Sequence, residues 1–369
     1  MATIGTSGVP SQNTINYDAL LSTTLDAYIS GGSLVDNIFK DSAFLAFMRM
    51  SDGIIHQDGG ERIRIPLMYG DNGTVKSYSG YETLDTTPQD GITTAFYPWA
   101  EIAGTISISR KEERQNSGEA AILSLLQSKI MQAEMSLREQ INNQLVQGTV
   151  SSATFVPGNS AKDLFPLAWF LRKDNTANPT TGGNVGNISA SAESWWRHNT
   201  AVADSASADT GNAFALSVST YKGLVVALRR MYNYCSRGSG GSPNLVLFDQ
   251  VSYETYENAL DDKVRYQNTM MADMGFETLK LKGATAIWDE VVPDVDNGTT
   301  SITAGNAMFL NTRFYKLVID SQTDLVTTPF IEPENQTAKT AKILFMANAT
   351  CSNLRKMGVL YAISQSITS

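Results

Sequence analysis

Cysteine and histidine are the scarcest chemistry-bearing residues of this 369-residue chain, with two of each. Cys235 and Cys351 cannot build a disulfide framework or a four-thiolate zinc site. His56 and His198 lie far apart with no HExxH spacing, which argues against a histidine-based metal centre. Basic residues are also few, 28 Lys and Arg against 37 Asp and Glu, for a net charge of −9. Affinity for phosphate backbones comes from Lys and Arg that release counterions, so a dedicated nucleic-acid binder is disfavoured, as is a membrane-surface protein. No stretch approaches 18 consecutive apolar residues, so no bilayer-spanning helix is expected. The opening MATIGTSGVPSQ has neither a basic patch nor an apolar core, so no signal peptide is expected there. The 42% hydrophobic content is ordinary for a globular protein and sufficient for two or three compact regions. These absences leave an expected soluble protein of reducing compartments, poor in reactive groups.

Residues 1–52 read as an arm, polar and extended to Asn16, then with one short helix before Gly31 and Gly32 and another after them. From Gly53 to Ser109 the character changes. Ile63, Ile65 and Leu67 alternate near one end, and Ile102, Ile106 and Ile108 near the other, which predicts two strands with one buried face. Tyr69 to Pro98 between them is rich in Gly, Thr, Asp and Tyr, so the segment reads as a long hairpin with an extended tip. It carries three basic residues (Arg62, Arg64, Lys76) and seven acidic ones (Asp58, Glu61, Asp71, Glu82, Asp85, Asp90, Glu101). A two-stranded excursion cannot bury enough surface alone and must lie on something else, which a neighbouring subunit could supply.

The clearest helix follows. Asn116-x-x-Glu119 has the spacing of a capping box, and Ile122, Leu126, Ile130, Ala133, Leu137, Ile141 and Leu145 recur at three- or four-residue intervals. Gln132, Ser136, Gln140 and Asn143 form a wet face and Gly148 supplies the stop. Some 30 residues at about 1.5 Å each give roughly 45 Å of helix. The stripe keeps no strict heptad, which argues against a coiled coil. Beyond it, DLFPLAWFL is followed by a polar insert over about 173–213, read as an exposed loop pinned by Trp195 and Trp196. The remainder alternates a helix (Leu224, Val225, Leu228, Tyr232, Cys235), the RGSGGSP turn, strand NLVLF and helix SYETYENAL. Strands ATAIW, AMFL and FYKLVI come next, and the runs KILFMANATCSN and GVLYAIS close the chain. This is an α+β pattern without a sustained βαβ repeat.

No constellation asks for catalysis. RGSGGSP lacks the Lys-Ser/Thr pair of a phosphate loop and precedes a strand. DVDNGTT, from Asp294 to Thr300, places its glycine fifth and Gly305 at position twelve, unlike a calcium loop. His56 and His198 have no motif neighbour and read as surface or hairpin histidines, while Cys235 and Cys351 fall where buried thiols ordinarily sit. Asp261 and Asp262 read as a solvated helix end. No catalytic residue, metal or cofactor is expected.

The order of these features, with the phrases NLVLFDQVSYETYENAL, GFETLKLKGATAIWDEVVP, AMFLNTRFYKLVID and ANATCSNLRKMGVLYAI, resembles the major capsid protein of tailed bacteriophages, which has the HK97-type fold. The resemblance implies an N-terminal arm (1–52), an extended loop (53–109), and a spine helix with part of a peripheral domain (110–154). It further implies an axial domain with part of the peripheral domain (155–329) and closing strands of the peripheral domain (330–369). It implies a chain that self-assembles into pentamers and hexamers of an icosahedral head, built as a procapsid in the host cytoplasm and ending in the virion. Its partners would be a separate scaffolding protein, a portal, packaged double-stranded DNA touched non-specifically on the inner face, and a decoration protein, with no membrane. Some relatives crosslink a loop lysine to a peripheral asparagine; Lys76 with Asn348 or Asn353 are the matching residues. Arg110, Lys111 and Arg114 are expected to pair with acids of a neighbour's hairpin. An encapsulin-like compartment and, more remotely, a soluble hydrolase with an unmotifed carboxylate site are the alternatives.

Overall fold

The computed structural model describes residues 42–115, 125–151, 154–156, 162–176, 178, 183–204, 211–260, 279–292, 304–334, 336–364 and 367. Among these the helices are α1 (Ala43–Met50), α2 (Arg110–Gln115), α3 (Leu125–Val146), α4 (Leu167–Phe170), α5 (Tyr221–Cys235) and α6 (Gln250–Asn258). The strands of the first half are β1 (Ile54–Gln57), β2 (Ile63–Met68), β3 (Ile92–Tyr97), β4 (Ala100–Ser109), β5 (Thr149–Ser151), β6 (Thr154–Val156), β7 (Asn199–Val202) and β8 (Phe214–Ala215). Those of the second half are β9 (Leu245–Phe248), β10 (Leu279–Leu281), β11 (Ala284–Trp288), β12 (Ala304–Leu310), β13 (Tyr315–Asp320), β14 (Val326–Thr327), β15 (Ala338–Cys351) and β16 (Gly358–Ser364). The described residues fall into two compact units, a smaller one of 103–137 and 327–343 and a larger one holding the rest.

The larger unit is built on a seven-stranded sheet in the order β10-β11-β9-β12-β16-β7-β8. Its pairs are mixed: β9–β11, β7–β16 and β7–β8 run parallel, and β9–β12, β12–β16 and β10–β11 antiparallel. The α5 stripe Leu224, Val225, Leu228, Met231, Tyr232 and Cys235 packs with Val246, Phe248, Phe309 and Leu360 in one apolar cluster. α5 begins where Thr220 Oγ1 accepts the Gly223 N–H at 3.2 Å, and α6 where Asp249 Oδ2 accepts the Ser252 N–H at 3.2 Å. Gly305 is fixed by that second cap, because a Cβ there would lie 2.0 Å from Ser252 Oγ. The run from Leu164 to Leu171 is interior, with Phe165 stacked on Trp169 at 4.3 Å and Phe170 edge-on to Tyr315 at 5.6 Å.

Two strand partnerships differ from the expected ones. β2 pairs with β3, not with the Ile102–Ile108 run. That run belongs to β4, which pairs with β15 and buries Ile106 and Ile108. Alternation marks a half-buried strand without naming its partner, and the Thr-rich β3 hides its own alternation. The closing strands also part company: β15 pairs antiparallel with β13, whereas β16 lies between β12 and β7 in the seven-stranded sheet. The turn between them explains this. Lys356 is buried and its Nζ donates to Arg237 O and Gly238 O at 2.7 and 3.0 Å, tying the turn to the glycine loop at the end of α5. That loop is a turn as expected, with Gly238, Gly240 and Gly241 all at positive φ.

α3 ends as expected, with Gly148 at φ 67° and its N–H donated to Asn143 O at 3.0 Å. Its inner residues Leu137, Ile141 and Leu145 are buried, and Gln132, Ser136 and Gln140 are exposed. The Asn116–Glu119 capping proposal, Ile122, the first helix of the arm, Asp261 and Asp262, and Asp294–Thr300 lie outside the described residues. In the smaller unit a capping box appears seven residues before that position, at the start of α2. The Ser109 N–H donates to Glu112 Oε2 at 2.9 Å and the Glu112 N–H to Ser109 Oγ at 3.2 Å. Glu112, only 4% exposed, also takes Lys129 Nζ at 3.1 Å, while Lys129 reaches Ser107 O at 3.2 Å. Removing one partner of a buried ion pair leaves the other charge uncompensated. Glu112→Ala is expected to cost about 3 kcal/mol; thermal unfolding followed by calorimetry checks this, and a loss below about 1 kcal/mol contradicts a stabilising pair.

Candidate functional site

The β2–β3 hairpin is the feature from which a function can be built. Its ladder runs from Ile63 opposite Tyr97 to Met68 opposite Ile92, and the Tyr69 N–H adds a last bond to Gly91 O at 2.9 Å. Near the body the strands alternate properly, with Ile63, Leu67, Ala95 and Tyr97 buried. At the far end the alternation continues but its outward positions turn apolar: the facing pair Met68 and Ile92 are 83% and 68% exposed. Glycine closes the neck, since a Cβ on Gly91 would stand 3.1 Å from Gly70 O.

Beyond the neck, residues 71–90 make no strand pairing and keep their shape by local turns. Asn72 Oδ1 accepts from the Thr74 N–H and hydroxyl at 3.0 and 2.6 Å, and Asp85 Oδ1 does the same with Thr87 at 3.0 and 2.5 Å. The Thr87 hydroxyl and N–H hold the Asp85 carboxyl below its ordinary pKa. Val75, Tyr78, Tyr81 and Leu84 all face solvent, interleaved with Asp71, Glu82, Asp85 and Asp90. Apolar exposure concentrated on one projecting segment marks a contact surface.

The root is held from three sides. The buried Tyr97 hydroxyl donates to Cys351 O at 2.8 Å and accepts the Cys351 N–H at 3.3 Å. Asn348, 1% exposed, donates from Nδ2 to Pro98 O at 2.7 Å, and its Oδ1 accepts the Phe165 N–H at 2.9 Å and the Ala349 N–H at 2.8 Å. Part of the polar insert supplies the third side. Gly186, at φ 62°, lies so close to the hairpin that a Cβ would be 2.9 Å from Ala95 Cβ and 3.2 Å from Tyr97 Oη. Trp196 is buried beside it and donates Nε1–H to Val185 O at 2.8 Å, while Trp195 stacks on Tyr69 at 5.1 Å. The expected pinning by both tryptophans is present, but the insert is no simple exposed loop. Asn175, Val185, Ala190, Trp196 and His198 within it are buried, because it serves as a clamp on the hairpin.

The other singled-out residues fall in separate places. His56 is exposed on β1 with Nε2 at 3.2 Å from Asp324 Oδ2. His198 is not a surface histidine: it is 3% exposed and its Nε2–H donates to Arg172 O at 2.6 Å. Burial first, then the nearby Arg172 charge, lower its pKa to about 3, partly opposed by that hydrogen bond and by Asp174. Cys235 and Cys351 are buried as expected, and burial pushes each thiol up to about 12, which leaves neither reactive. Lys76 Nζ reaches Thr83 O at 3.4 Å. Asn348, the matching crosslink acceptor, has both ends of its amide committed inside the fold, and Asn353 Oδ1 accepts the Arg355 N–H at 3.2 Å. Arg110, Lys111 and Arg114 all lie on α2. Among the described residues no three His, Cys, Asp or Glu side chains cluster for a metal, and no helix is long and apolar enough to cross a membrane. The Ser109–Glu112 box and the Gly186 clamp escaped sequence reading; Ser-x-x-Glu before α2 was the available signal for the first.

No family profile matches the chain, and no curated protein does. Solved structures do. A cyanophage A-1(L) capsid subunit superposes with TM-score 0.58 at 15% identity, covering 89% of this chain and 95% of that one. The capsid subunit of an empty GTA particle gives 0.53 at 14% identity over 89% and 100%. The SrpI encapsulin of Synechococcus elongatus PCC 7942 gives 0.52 at 7% identity over 95% and 97%. The chain has the α+β, HK97-like fold of these shell-forming proteins.

Two measurements probe the root. Asn348→Ala strands the Phe165 N–H and the Pro98 carbonyl, and a destabilisation of about 3 kcal/mol is expected in denaturant titration. His198 is neutral in the folded chain down to about pH 3 but protonates near pH 6.5 when unfolded. Its contribution is therefore flat above about pH 6.5 and is lost as pH falls below that value. Between pH 7 and pH 5 the protein should lose about 2 kcal/mol more than His198→Gln does; equal losses would show that His198 is not the proton acceptor.

Proposed function

We propose that this chain is the major capsid protein of a tailed bacteriophage, a non-enzymatic subunit that self-assembles into the pentamers and hexamers of an icosahedral head around double-stranded DNA. The observation that carries the reading is the hairpin: it is rigidly seated at its root, yet Met68, Val75, Tyr78, Tyr81, Leu84 and Ile92 lie open to solvent at its end. A chain that spends this much apolar surface on a projection needs a partner there, and in a closed shell the same contact repeats from subunit to subunit. The fold shared with phage capsid subunits over about nine-tenths of the chain supports the same conclusion.

In this reading residues 1–52 are the arm, 53–109 the extended loop, 110–154 the spine region, 155–329 the axial domain with part of the peripheral domain, and 330–369 its closing strands. Arg110, Lys111 and Arg114 on α2 meet acids of a neighbour's loop. A scaffolding protein and a portal take part in procapsid assembly in the host cytoplasm, and a decoration protein is a further candidate partner. The likeness to an encapsulin keeps a second reading open, a compartment for protein cargo; it has the lower identity and TM-score of the two. The carboxylate-hydrolase alternative gains nothing from the buried acids. Glu112 is spent on Lys129, and Asp289 on Ser42, Asn142 and the Val291 N–H.

The triple variant Tyr78→Ser, Tyr81→Ser, Leu84→Ser tests the proposal. These side chains touch solvent, so its stability should stay within about 1 kcal/mol of the parent. Particles seen by negative-stain microscopy and sedimentation should disappear. Normal shells from the variant, or a parent chain that stays a monomer with every genomic neighbour supplied, would overturn it. Co-purified nucleic acid inside particles distinguishes the head from the protein-cargo compartment.

A further inference from the structure

On a chain of net charge −9, one surface is built the other way. From Thr210 to Phe248 the sequence contains Lys222, Arg229, Arg230 and Arg237 and no acidic residue. The helix period explains where they go: with Leu224, Val225, Leu228, Met231, Tyr232 and Cys235 turned into the core, Lys222, Val226, Arg229, Arg230 and Asn233 form the outer face of α5, and Arg237 follows its end. The turn between β10 and β11 adds Lys282, whose Nζ donates to Asn233 Oδ1.

None of these five cations is in an ion pair with a carboxylate among the described residues; the acids of the adjacent helix α6 are Glu254, which accepts from Gln250, and Glu257. Three of the five are instead laid over aromatic rings. The Arg237 guanidinium sits 3.7 Å from the Tyr234 ring centroid, Arg230 4.7 Å from Phe214, and Lys282 5.4 Å from Tyr232. A guanidinium over a ring uses one π-face and keeps its in-plane N–H donors directed outward, the geometry suited to phosphate oxygens. The charge is thereby positioned without being neutralised.

We infer that the outer face of α5, with Lys282 beside it, is the surface on which duplex DNA rests, through phosphate contacts and without base readout. The inference depends on the capsid reading for the presence of DNA and adds to it the face that meets the backbone. The acidity of the remaining surface keeps the contact weak and salt-sensitive, which lets packaged DNA slide rather than adhere.

The test uses the full-length chain and a fluorescent 30-base-pair duplex of mixed sequence, titrated by anisotropy between about 50 and 200 mM salt. Arg230→Gln with Arg237→Gln should weaken binding about tenfold at low salt and lower the salt slope by about 2, equally for duplexes of different sequence. Arg62→Gln with Arg64→Gln, on the hairpin, should leave both quantities unchanged. Loss shared equally by both double variants, loss in neither, or no binding by the parent chain overturns the inference. So does an α5 variant that binds DNA normally but builds no shells, since the face would then be a contact between copies. A parent chain that never forms shells sinks the capsid reading separately, whatever the titration shows.

Discussion

Two strands cannot bury two faces. The β2–β3 hairpin has only its own ladder to hold it, so every apolar side chain beyond the neck must be covered from outside or remain wet. The rest of the larger unit is arranged around that constraint. Tyr97, Asn348 and the Gly186 clamp fasten the near end through buried, fully bonded groups, which fixes the direction of the projection. The far end then carries tyrosine, leucine and valine into solvent on turns that need no tertiary support.

Four buried polar residues, His198, Lys356, Asn348 and Asp289, act as structural brackets. His198, Lys356 and Asn348 each give their donors to backbone carbonyls, and Asp289 collects a hydroxyl and a backbone N–H. Such groups are costly to bury unless satisfied, and satisfied they specify one arrangement of neighbouring segments. The lowered His198 pKa and the raised thiol pKa values therefore follow first from burial, whereas the lowered Asp85 carboxyl follows from local hydrogen bonds. The surface chemistry has a different logic, acidic at the hairpin and basic on α5, whose inner face is apolar and fully used.

How much could be read beforehand differs from element to element. α5 was legible because its apolar stripe is local, and β9, β11, β12 and β13 because each is a short apolar run bounded by turns. The hairpin was legible as a projection, since Gly, Asp, Thr and Tyr between alternating ends cannot make a core. Its true pairing with Ile92–Tyr97 was not, because two threonines in β3 obscure the period. The insert looked wholly exposed, since its Gly and Asn content is that of a loop. Only tertiary contact reveals that Gly186 must pass within reach of Ala95 and Tyr97.

Composition and periodicity by themselves determined that the chain is an acidic α+β protein, short of reactive groups, with a projecting hairpin and a long helix that stops at Gly148. These are consequences of local pattern, where residues three, four or two apart decide the outcome. Tertiary structure decided which strands pair, that β15 and β16 enter different sheets, that His198 and Asn348 are interior, and that Lys282 from a distant turn joins the three cations of α5 and Arg237 just past its end. Those outcomes rest on contacts between residues up to some 250 positions apart, such as Asn348 with Pro98, and no window along the chain contains both partners.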